Sequence, residues 1–533
     1  MLFLENRVFR SIQTCEKNYT TLDGSHHAFA DDESVAMWSI EQSRFPSRDL
    51  PSGAALDIRF GGLQSSPGIS FYFDRANNVY CDRLHVMWLR GNTVLSSREF
   101  TPNDTIYSCV NQVDFYDRII IIFASLNMPY RYLRVEAVIF GVIHFFRDNT
   151  LENLIINEGA DPTGRTIYIN STEFTINTRE PMPYIFLKRQ PIFVRYNGEH
   201  IGTYYIDRSR KYADRRYSIQ AIDKIGVLDN TDEFLGGIYQ NTPAHEIINN
   251  IVGGLFEVDI DNSLRNTLVS GWIPICKRRE ALAQVALAIG AVIDSSRGGD
   301  IKVRRMPTQI SSRIGRDRVY TTSSVDIAFP YTGIELISHN YTIGSAADTR
   351  DLFKDTFVGE KIIKFAAPHS NYAITNGTIL EIGANYARIT SDGADECVLR
   401  GRPFIDNQNS VIIKTEMLIE GTQEKVEKID DGYLVNNNNA QAIAERLYEY
   451  YRRQEVFNGD ILLDNSDRGV NNTANMTNME RICDVVTVAT VFEDSMGDTG
   501  SIVGQIEKLT LNLGWKNIKA RGIIRGNQHF SET

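Results

Sequence analysis

The sequence predicts a multidomain, mainly β protein with an α+β insert, and three observations lead to this fold class. Short runs in which apolar and polar residues alternate recur along most of the 533 residues, as in half-buried strands. Clusters of Gly, Asn, Asp and Pro separate these runs and are typical of turns. Helical patterns are confined to a few segments, of which residues 279–290 are strongly apolar. The length predicts roughly three to five domains rather than one.

Residues 1–142 are predicted to form a jelly-roll β-sandwich. The segment "GISFYFD" alternates Ile69, Phe71 and Phe73 with less apolar residues, which is the period of a strand with one buried face. Trp88 lies on the apolar face of a second such run, "RLHVMWL". We therefore expect Trp88 to pack in the core of the sandwich rather than to stack on a sugar at its surface.

Two segments, 143–237 and 437–533, contain a similar succession of strand, turn, strand, loop and strand. In the first segment the strands are "PIFVRY", "IGTYYID" and "YSIQAID", and in the second they are "DVVTVATV", "SIVGQIEKLTL" and "IKARGII". The two successions lie about 300 residues apart. They predict two small antiparallel β-barrels related by internal duplication, with a helix preceding the strands of the second. The alternative is that any two β-hairpins look alike.

Residues 238–320 are predicted to be a helix-plus-hairpin module. The run "REALAQVALAIG" has its apolar residues at helical spacing, is slim because of its alanines, and ends at a glycine suited to a C-cap. We expect it to be a packing helix on a small sheet formed by "AVID" and "IKVRR". The residues expected to make the packing face are Ala281, Leu282, Val285, Ala286 and Ile289. Residues 321–436 are predicted to be a β-rich connecting domain or part of the second barrel.

Composition and motifs exclude several classes of function. A net charge of −11 argues against general or sequence-specific nucleic-acid binding, because such binding needs a basic surface. The apolar runs are too short to span a membrane. The six cysteines are scattered without a CxxC pair, so we expect neither a zinc site nor a disulfide framework, and no secretory signal is recognisable at the N-terminus. Hydrolase, zinc-protease and nucleotide-binding motifs are absent, which predicts a protein without catalytic residues, metal or cofactor.

A basic run, "DRSRKYADRRY", is predicted to be an exposed hairpin loop. The alternative is that it contacts an acidic neighbouring subunit, because complementary charge favours specific association. The residues of this candidate subunit-contact loop are Arg208, Arg210, Lys211, Arg215 and Arg216.

The order of several motifs resembles one family. "GTYYID", "YSIQAIDKIGVLD", "GGIYQNTPAHEIINNIV" and "GWIPICKRREALAQVALAIGAVI" follow one another as in the baseplate or tail hub proteins of tailed bacteriophages and phage-tail-like particles. "AQAIAERLYEYY" and "DVVTVATVF" are similar to a helix and a strand of the last barrel in that family. The resemblance covers residues from about 143 to about 526.

The resemblance implies a non-enzymatic homotrimeric ring in which each chain contributes two tube-type barrels. Such a ring adapts a sixfold tail tube to a threefold spike or fibre, with a channel for DNA. It implies tail tube or distal tail protein, spike or fibre protein and other baseplate proteins as partners. The chain is then expected at the tail tip or baseplate of the virion, assembled in the cytoplasm of the bacterial host.

The N-terminal sandwich departs from the family pattern and looks like a carbohydrate-binding module. It is expected either to brace neighbouring baseplate proteins or to bind a cell-wall glycan. The alternative function is therefore a glycan-binding adhesin of the tail tip that acts through this sandwich. A glycoside hydrolase with an unmarked carboxylate pair is a third alternative.

Overall fold

The computed structural model describes residues 37–39, 41–140, 146, 150–178, 188–196, 199–329, 331–415, 423–463, 480–493, 499–513 and 518–529. The chain divides into two compact units, Met1–Phe146 and Arg147–Thr533. Strands predominate in both, with a few helices in the second unit, so the predicted fold class, mainly β with an α+β insert, is confirmed.

The described residues of the first unit form one six-stranded antiparallel sheet. Its strands, β1 to β6, are Met37–Trp38, Asp49–Phe73, Cys81–Arg90, Thr93–Phe100, Ile106–Leu126 and Arg134–Phe140, in the order β1-β6-β2-β5-β3-β4. The two long strands, β2 and β5, pair with shifts of register between Arg59 and Gly68, where bulges bend a strand. Ile58 and Ile69 lie on either side of these shifts and belong to one core, so both halves of β2 contribute side chains to it. Trp88 is fully buried in that core.

The second unit begins with five antiparallel strands. These are β7 (Leu151–Gly159), β8 (Ser171–Asn177), β9 (Pro191–Tyr196), β10 (Glu199–Ala213) and β11 (Arg216–Ile222). Their order in the sheet is β7-β8-β11-β10-β9. The loop predicted for the basic run is wrong, because β10 continues to Ala213 and pairs with β11 up to a tight turn before Arg216. Backbone hydrogen bonds to β11 stabilise this charged segment as a strand, although its composition favours a loop.

An α+β module follows. Its elements are α1 (Lys224–Asp229), β12 (Gly237–Pro243), α2 (Ala244–Val252), β13 (Val258–Ile260), α3 (Asn262–Arg265), β14 (Leu268–Ile273), α4 (Arg278–Ile289), β15 (Ala291–Asp294) and β16 (Ile301–Arg305). The hairpin of β15 and β16 forms antiparallel pairs, and β13 joins it in parallel. Helix α4 ends at Gly290, whose φ of 71° is the left-handed conformation that a glycine C-cap provides.

The rest of the chain is again mainly β. The elements are β17 (Ile310–Ile314), β18 (Ser324–Ile327), β19 (Gly333–Ser338), β20 (Tyr341–Ile343), β21 (Arg350–Asp355), β22 (Val358–Lys364), β23 (His369–Thr375), β24 (Thr378–Ile382), β25 (Tyr386–Asp392), β26 (Cys397–Asp406), β27 (Asn409–Lys414), β28 (Val426–Ile429), α5 (Ala440–Tyr451), β29 (Glu455–Leu463), β30 (Val485–Glu493), β31 (Thr499–Leu513) and β32 (Ile518–His529). Strands β19 to β28 form small sheets of their own between β18 and β29.

A second five-stranded repeat is assembled from β18 and β29 to β32. In both repeats the first, second, fifth, fourth and third strands of the chain lie side by side in that order. This gives β7-β8-β11-β10-β9 in the first repeat and β18-β29-β32-β31-β30 in the second. Each neighbouring pair is antiparallel in both repeats. In the second repeat, residues 328–454 separate the first strand from the next, whereas β7 and β8 are close in sequence. The two repeats therefore have one topology, with a long insertion in the second.

The repeats also agree in detail. Strands β10 and β31 both contain 15 residues and start 300 residues apart, and each has a register shift at the same place, after Ile206 and after Ile506. The amide of Arg189 donates to the Ile206 carbonyl, and the amide of Cys483 donates to the Ile506 carbonyl. Arg189 and Cys483 both have a φ near 70°, which is rare for a residue with a side chain. The likeness therefore extends to individual backbone torsions.

The two predicted barrels are joined in one sheet. Residues 155–159 of β7 pair antiparallel with residues 508–512 of β31, and the combined sheet contains eleven strands, with β17 added parallel to β30. Val319, beyond β17, forms a bridge to Ile461 of β29, so the chain returns from one end of the second repeat to the other.

Candidate assembly interface

Within the chain, the first repeat is attached to the second through a short stretch of strand edge. One edge of β31 pairs with β30 at residues 499–505 and then with β7 at residues 508–512. The stretch Lys508–Asn512 is called the β31 joint below. A hydrogen bond from Thr510 Oγ1 to Asn157 Oδ1, 3.0 Å long, connects the side chains of two directly opposite residues in this joint.

The equivalent stretch of the first repeat has no partner strand within the described ranges. Strand β9 covers β10 from Glu199 to Tyr205, and β11 covers the opposite edge. Residues 208–212, which correspond to the β31 joint, are all exposed. This stretch, Arg208–Tyr212, is called the β10 edge below. An open strand edge of this kind offers unpaired backbone groups to another strand.

A second open edge belongs to β18. This strand pairs with β29 on one side, and its other side carries no strand in the part of the chain that the structure describes. The amide of Ala328 donates to the Gln454 carbonyl, on the side of β29. Because successive residues of a strand direct their backbone groups to opposite sides, those of Val325 and Ile327 point to the open side. Ile327 and Phe329 have exposed fractions of 76% and 85%. Apolar side chains this exposed beside an open strand mark a surface suited to a partner.

The predicted subunit-contact residues lie on the β10–β11 hairpin. Their partners within the chain are few: Lys211 pairs with Asp214 at 3.0 Å, Arg216 pairs with Glu152 at 2.8 Å, and Arg208 is 3.6 Å from Asp207. Arg210 lies over the ring of Tyr212, 5.2 Å from its centre.

Arg208, Arg210 and Lys211 belong to the β10 edge, whereas Arg215 lies in the turn and Arg216 begins β11. The structure thus places three of the five side chains on the open edge.

The residues of the predicted packing helix lie in α4. Ala281, Leu282, Val285 and Ala286 are fully buried, and Ile289 is half-buried. They pack in the core of the α+β module, while Leu287 of the same helix belongs to the core around α5. The backbone of Gly164 approaches closely, since a Cβ there would lie 2.8 Å from the Ala291 carbonyl oxygen and 3.2 Å from the carbonyl carbon of Ala286. Helix α4 therefore contributes side chains to two cores and contacts the first repeat through Gly164.

A buried ion pair fixes the first repeat to the α+β module. Arg297 follows β15 and donates from Nε and one terminal nitrogen to both carboxylate oxygens of Glu158 on β7, at 2.7 and 3.0 Å. Both side chains are almost completely buried. Because Glu158 lies opposite Leu509, this pair also lies next to the β31 joint.

Next to this pair is a buried carboxylate network. Asp223 caps α1 through the Gly226 amide and accepts from the Asn170 side chain, which also donates to Asp294. Burial raises the pKa of the Asp223 carboxyl to about 6, although hydrogen bonds from Ser295 and two backbone amides lower it. Groups of three or more potential metal ligands are absent from the described residues.

A cavity of about 600 Å³ lies where β18 ends. Aromatic and cationic side chains line it, including Phe329, Tyr331 and Lys425, and the Lys425 ammonium is 4.0 Å from the centre of the Tyr331 ring.

The described part of the chain contains no helix long and apolar enough to cross a membrane.

The first unit carries an exposed aromatic pair that the sequence analysis missed. Phe45 and Tyr130 are nearly parallel, with ring centres 6.0 Å apart and exposed fractions of 66% and 63%. Hydrogen bonds of Ser43 with Tyr130 and Arg131 tie the two loops together. The rings come from loops 85 residues apart, so no local pattern could have identified them.

No protein-family model matches the sequence, and no curated protein matches it. Among solved structures, a tail protein from Neisseria meningitidis MC58 is similar at 11% identity and a TM-score of 0.43, covering 70% of this chain and 92% of that one. The 43 kDa tail protein of prophage MuSo2 from Shewanella oneidensis gives 12% and 0.42, covering 71% and 94%. A prophage tail protein from Listeria monocytogenes EGD-e gives 11% and 0.37, covering 70% and 95%. The proteins to which this chain is similar are, in all three cases, tail proteins.

Proposed function

We propose that this chain is a structural hub of a phage tail baseplate or tail tip, and that it forms a homotrimeric ring. The observation that supports the ring is the pairing of β7 with the β31 joint, which connects two repeats of one topology side by side. Among the described residues, that connection leaves β18 as the terminal strand at one end of the eleven-stranded sheet and, near the other end, the β10 edge, which the terminal strand β9 does not cover. Two different edges at opposite ends favour a head-to-tail contact between copies, which closes into a ring when the rotation permits.

Symmetry explains why a chain with two such repeats suits an adaptor. Three copies present six similar repeats, so one face of the ring can match a sixfold tail tube. The inserted segment between β18 and β29 occurs once in each chain and is therefore repeated only three times, as a threefold spike or fibre requires. The proposed partners are accordingly a tail tube or distal tail protein, a spike or fibre protein and other baseplate proteins.

The proposed ring surrounds a channel for DNA. A net charge of −11 is compatible with this role, because a negatively charged protein does not hold a polyanion that passes through it. The role is structural and needs no catalytic residue, metal or cofactor. The proposed location is the tail tip or baseplate of the virion, after assembly in the bacterial cytoplasm.

The ring is tested by measuring the mass of the purified chain under native conditions and imaging it by electron microscopy. We expect a particle of three times the 60.4 kDa chain mass, with six similar densities around a central opening. A monomer at micromolar concentration, or a closed particle with any other number of chains, would contradict the proposal.

A second function is supported by the exposed Phe45 and Tyr130 rings. We propose that this pair binds a cell-wall glycan, because sugar rings stack on aromatic faces and hydrogen bonds connect the two loops that carry the rings. The guanidinium groups of Arg44 and Arg131 lie on the same two loops and can donate hydrogen bonds to sugar hydroxyls.

The glycan proposal is tested with a panel of neutral and acidic polysaccharides fixed to a surface. We expect Tyr130→Ala and Phe45→Ala each to weaken binding about three- to ten-fold. Phe115→Ala is the matched control, since Phe115 is an exposed ring elsewhere in the same unit. Equal binding by all three variants, or no binding by the wild-type protein, would exclude this site.

A further inference from the structure

We infer that β18 of one copy pairs antiparallel with the β10 edge of the adjacent copy, with Asp326 directly opposite Arg210. This interface rests on the proposed ring and repeats, between chains, the contact that β7 makes with the β31 joint inside the chain. The partner is thus a second copy of the same chain, and the alignment of the two repeats specifies the pairing residue by residue.

The first repeat gives the template for that alignment. Asn157 of β7 lies opposite Ser171 of β8, which lies opposite Ile222 of β11, which in turn lies opposite Tyr205 of β10. Asn157 is also the residue opposite Thr510 in the β31 joint.

The second repeat contains the same path. Asp326 of β18 lies opposite Val456 of β29, which lies opposite Arg525 of β32, which lies opposite Gln505 of β31. Because Gln505 is the counterpart of Tyr205, 300 residues earlier, Asp326 is the counterpart of Asn157. The residue of β10 that corresponds to Thr510 is Arg210. The hydrogen-bonded pair of Asn157 and Thr510 inside the chain therefore corresponds to Asp326 and Arg210 between copies.

The chemistry of this pair agrees with the alignment. Both side chains are exposed, and within the described residues neither forms an ion pair. A carboxylate and a guanidinium directly opposite each other on neighbouring strands attract, whereas like charges at these positions repel. The same alignment places the half-buried Val325 opposite Lys211, whose aliphatic stem can cover that side chain, and Ile327 opposite Ser209.

The inference is tested by reversing charges and measuring the trimer–monomer equilibrium by analytical ultracentrifugation. We expect Arg210→Asp and Asp326→Arg each to raise the concentration needed for trimer formation at least about ten-fold. The double variant restores the opposite charges and is expected to return the equilibrium close to that of the wild-type protein. Arg215→Asp makes the same change of charge in the hairpin turn, outside the β10 edge, and is expected to remain a trimer.

Cysteine pairs test the alignment independently of charge. We expect Arg210→Cys/Asp326→Cys to give covalently linked trimers on oxidation, since directly opposite residues have Cβ atoms about 5 Å apart. Arg208→Cys/Asp326→Cys, which is diagonal in the proposed pairing, is expected to cross-link far less.

The outcomes separate this inference from the proposed function. A wild-type trimer whose charge-reversal variants are equally stable trimers would overturn the interface and leave the ring intact. Single variants that dissociate without recovery in the double variant would also overturn the pairing of Arg210 with Asp326. A monomeric wild-type protein would overturn the ring itself, and the interface with it.

Discussion

Replacing Ala286 with glutamate is expected to lower the free energy of unfolding by several kcal/mol, on the order of 4 kcal/mol. Ala286 is fully buried in the core of the α+β module, so a longer side chain there has to displace its packed apolar neighbours. A carboxylate there is removed from water without a cation or donor to compensate it. The measurement is urea unfolding followed by circular dichroism, with the midpoint compared to that of the wild-type protein.

Ala442→Glu is the matched control for this prediction. Ala442 lies in the first turn of helix α5 and is exposed, so the same substitution there leaves the new carboxylate in water. Its effect is expected to stay within about 0.5 kcal/mol. If the two variants unfold at the same urea concentration, Ala286 is not in a packed interior.

Removing the carboxylate of Glu158 is expected to destabilise the second unit by about 3–5 kcal/mol. Glu158→Ala leaves the guanidinium of Arg297 buried without its bidentate partner, and an unpaired buried charge costs more than the pair itself contributes. The loss is expected in the same unfolding experiment. It should also loosen the β31 joint, because Glu158 is one of the residues of β7 that pair there.

Glu152→Ala provides the comparison, since Glu152 lies on the same strand and pairs with Arg216 at the surface. Loss of an exposed pair typically costs no more than about 1 kcal/mol. A double variant, Glu158→Leu/Arg297→Met, is expected to recover part of the stability lost in Glu158→Ala, because it removes both charges. Equal stabilities of Glu158→Ala and Glu152→Ala would show that Arg297 finds another partner or remains hydrated.

Local patterns were sufficient to predict the strands that lie next to one another in sequence. The successions that form β9 to β11 and β30 to β32 were recognised as similar, and in both of them consecutive strands pair antiparallel. This works because alternation reports a buried face and short turns connect neighbouring antiparallel strands. The prediction of a loop at 207–217 was wrong for a related reason, since charged residues on an exposed strand edge look like a loop when the partner strand is not considered.

Strand β18 could not be assigned to the second repeat from the sequence. It contains only four residues, too few for their alternation to identify a strand, and the insertion up to β29 separates it in sequence from the other strands of the repeat. The open edges were missed for the same reason. A comparison of the sequence with itself at a separation of 300 residues aligns β10 with β31, but it does not reveal that β7 covers one and leaves the other open.

The order of residues alone predicted a mainly β chain with a repeated three-stranded motif and an alanine-rich packing helix, because these features depend on periodicity over a few residues. Which edges pair depends on contacts between residues more than 300 positions apart, such as Asn157 and Thr510. Backbone hydrogen bonds are the same for every residue type and can join any two strands, so the choice between them is made by packing of the whole unit. The joint between the repeats, and with it the position of both open edges, is therefore decided only by the tertiary structure.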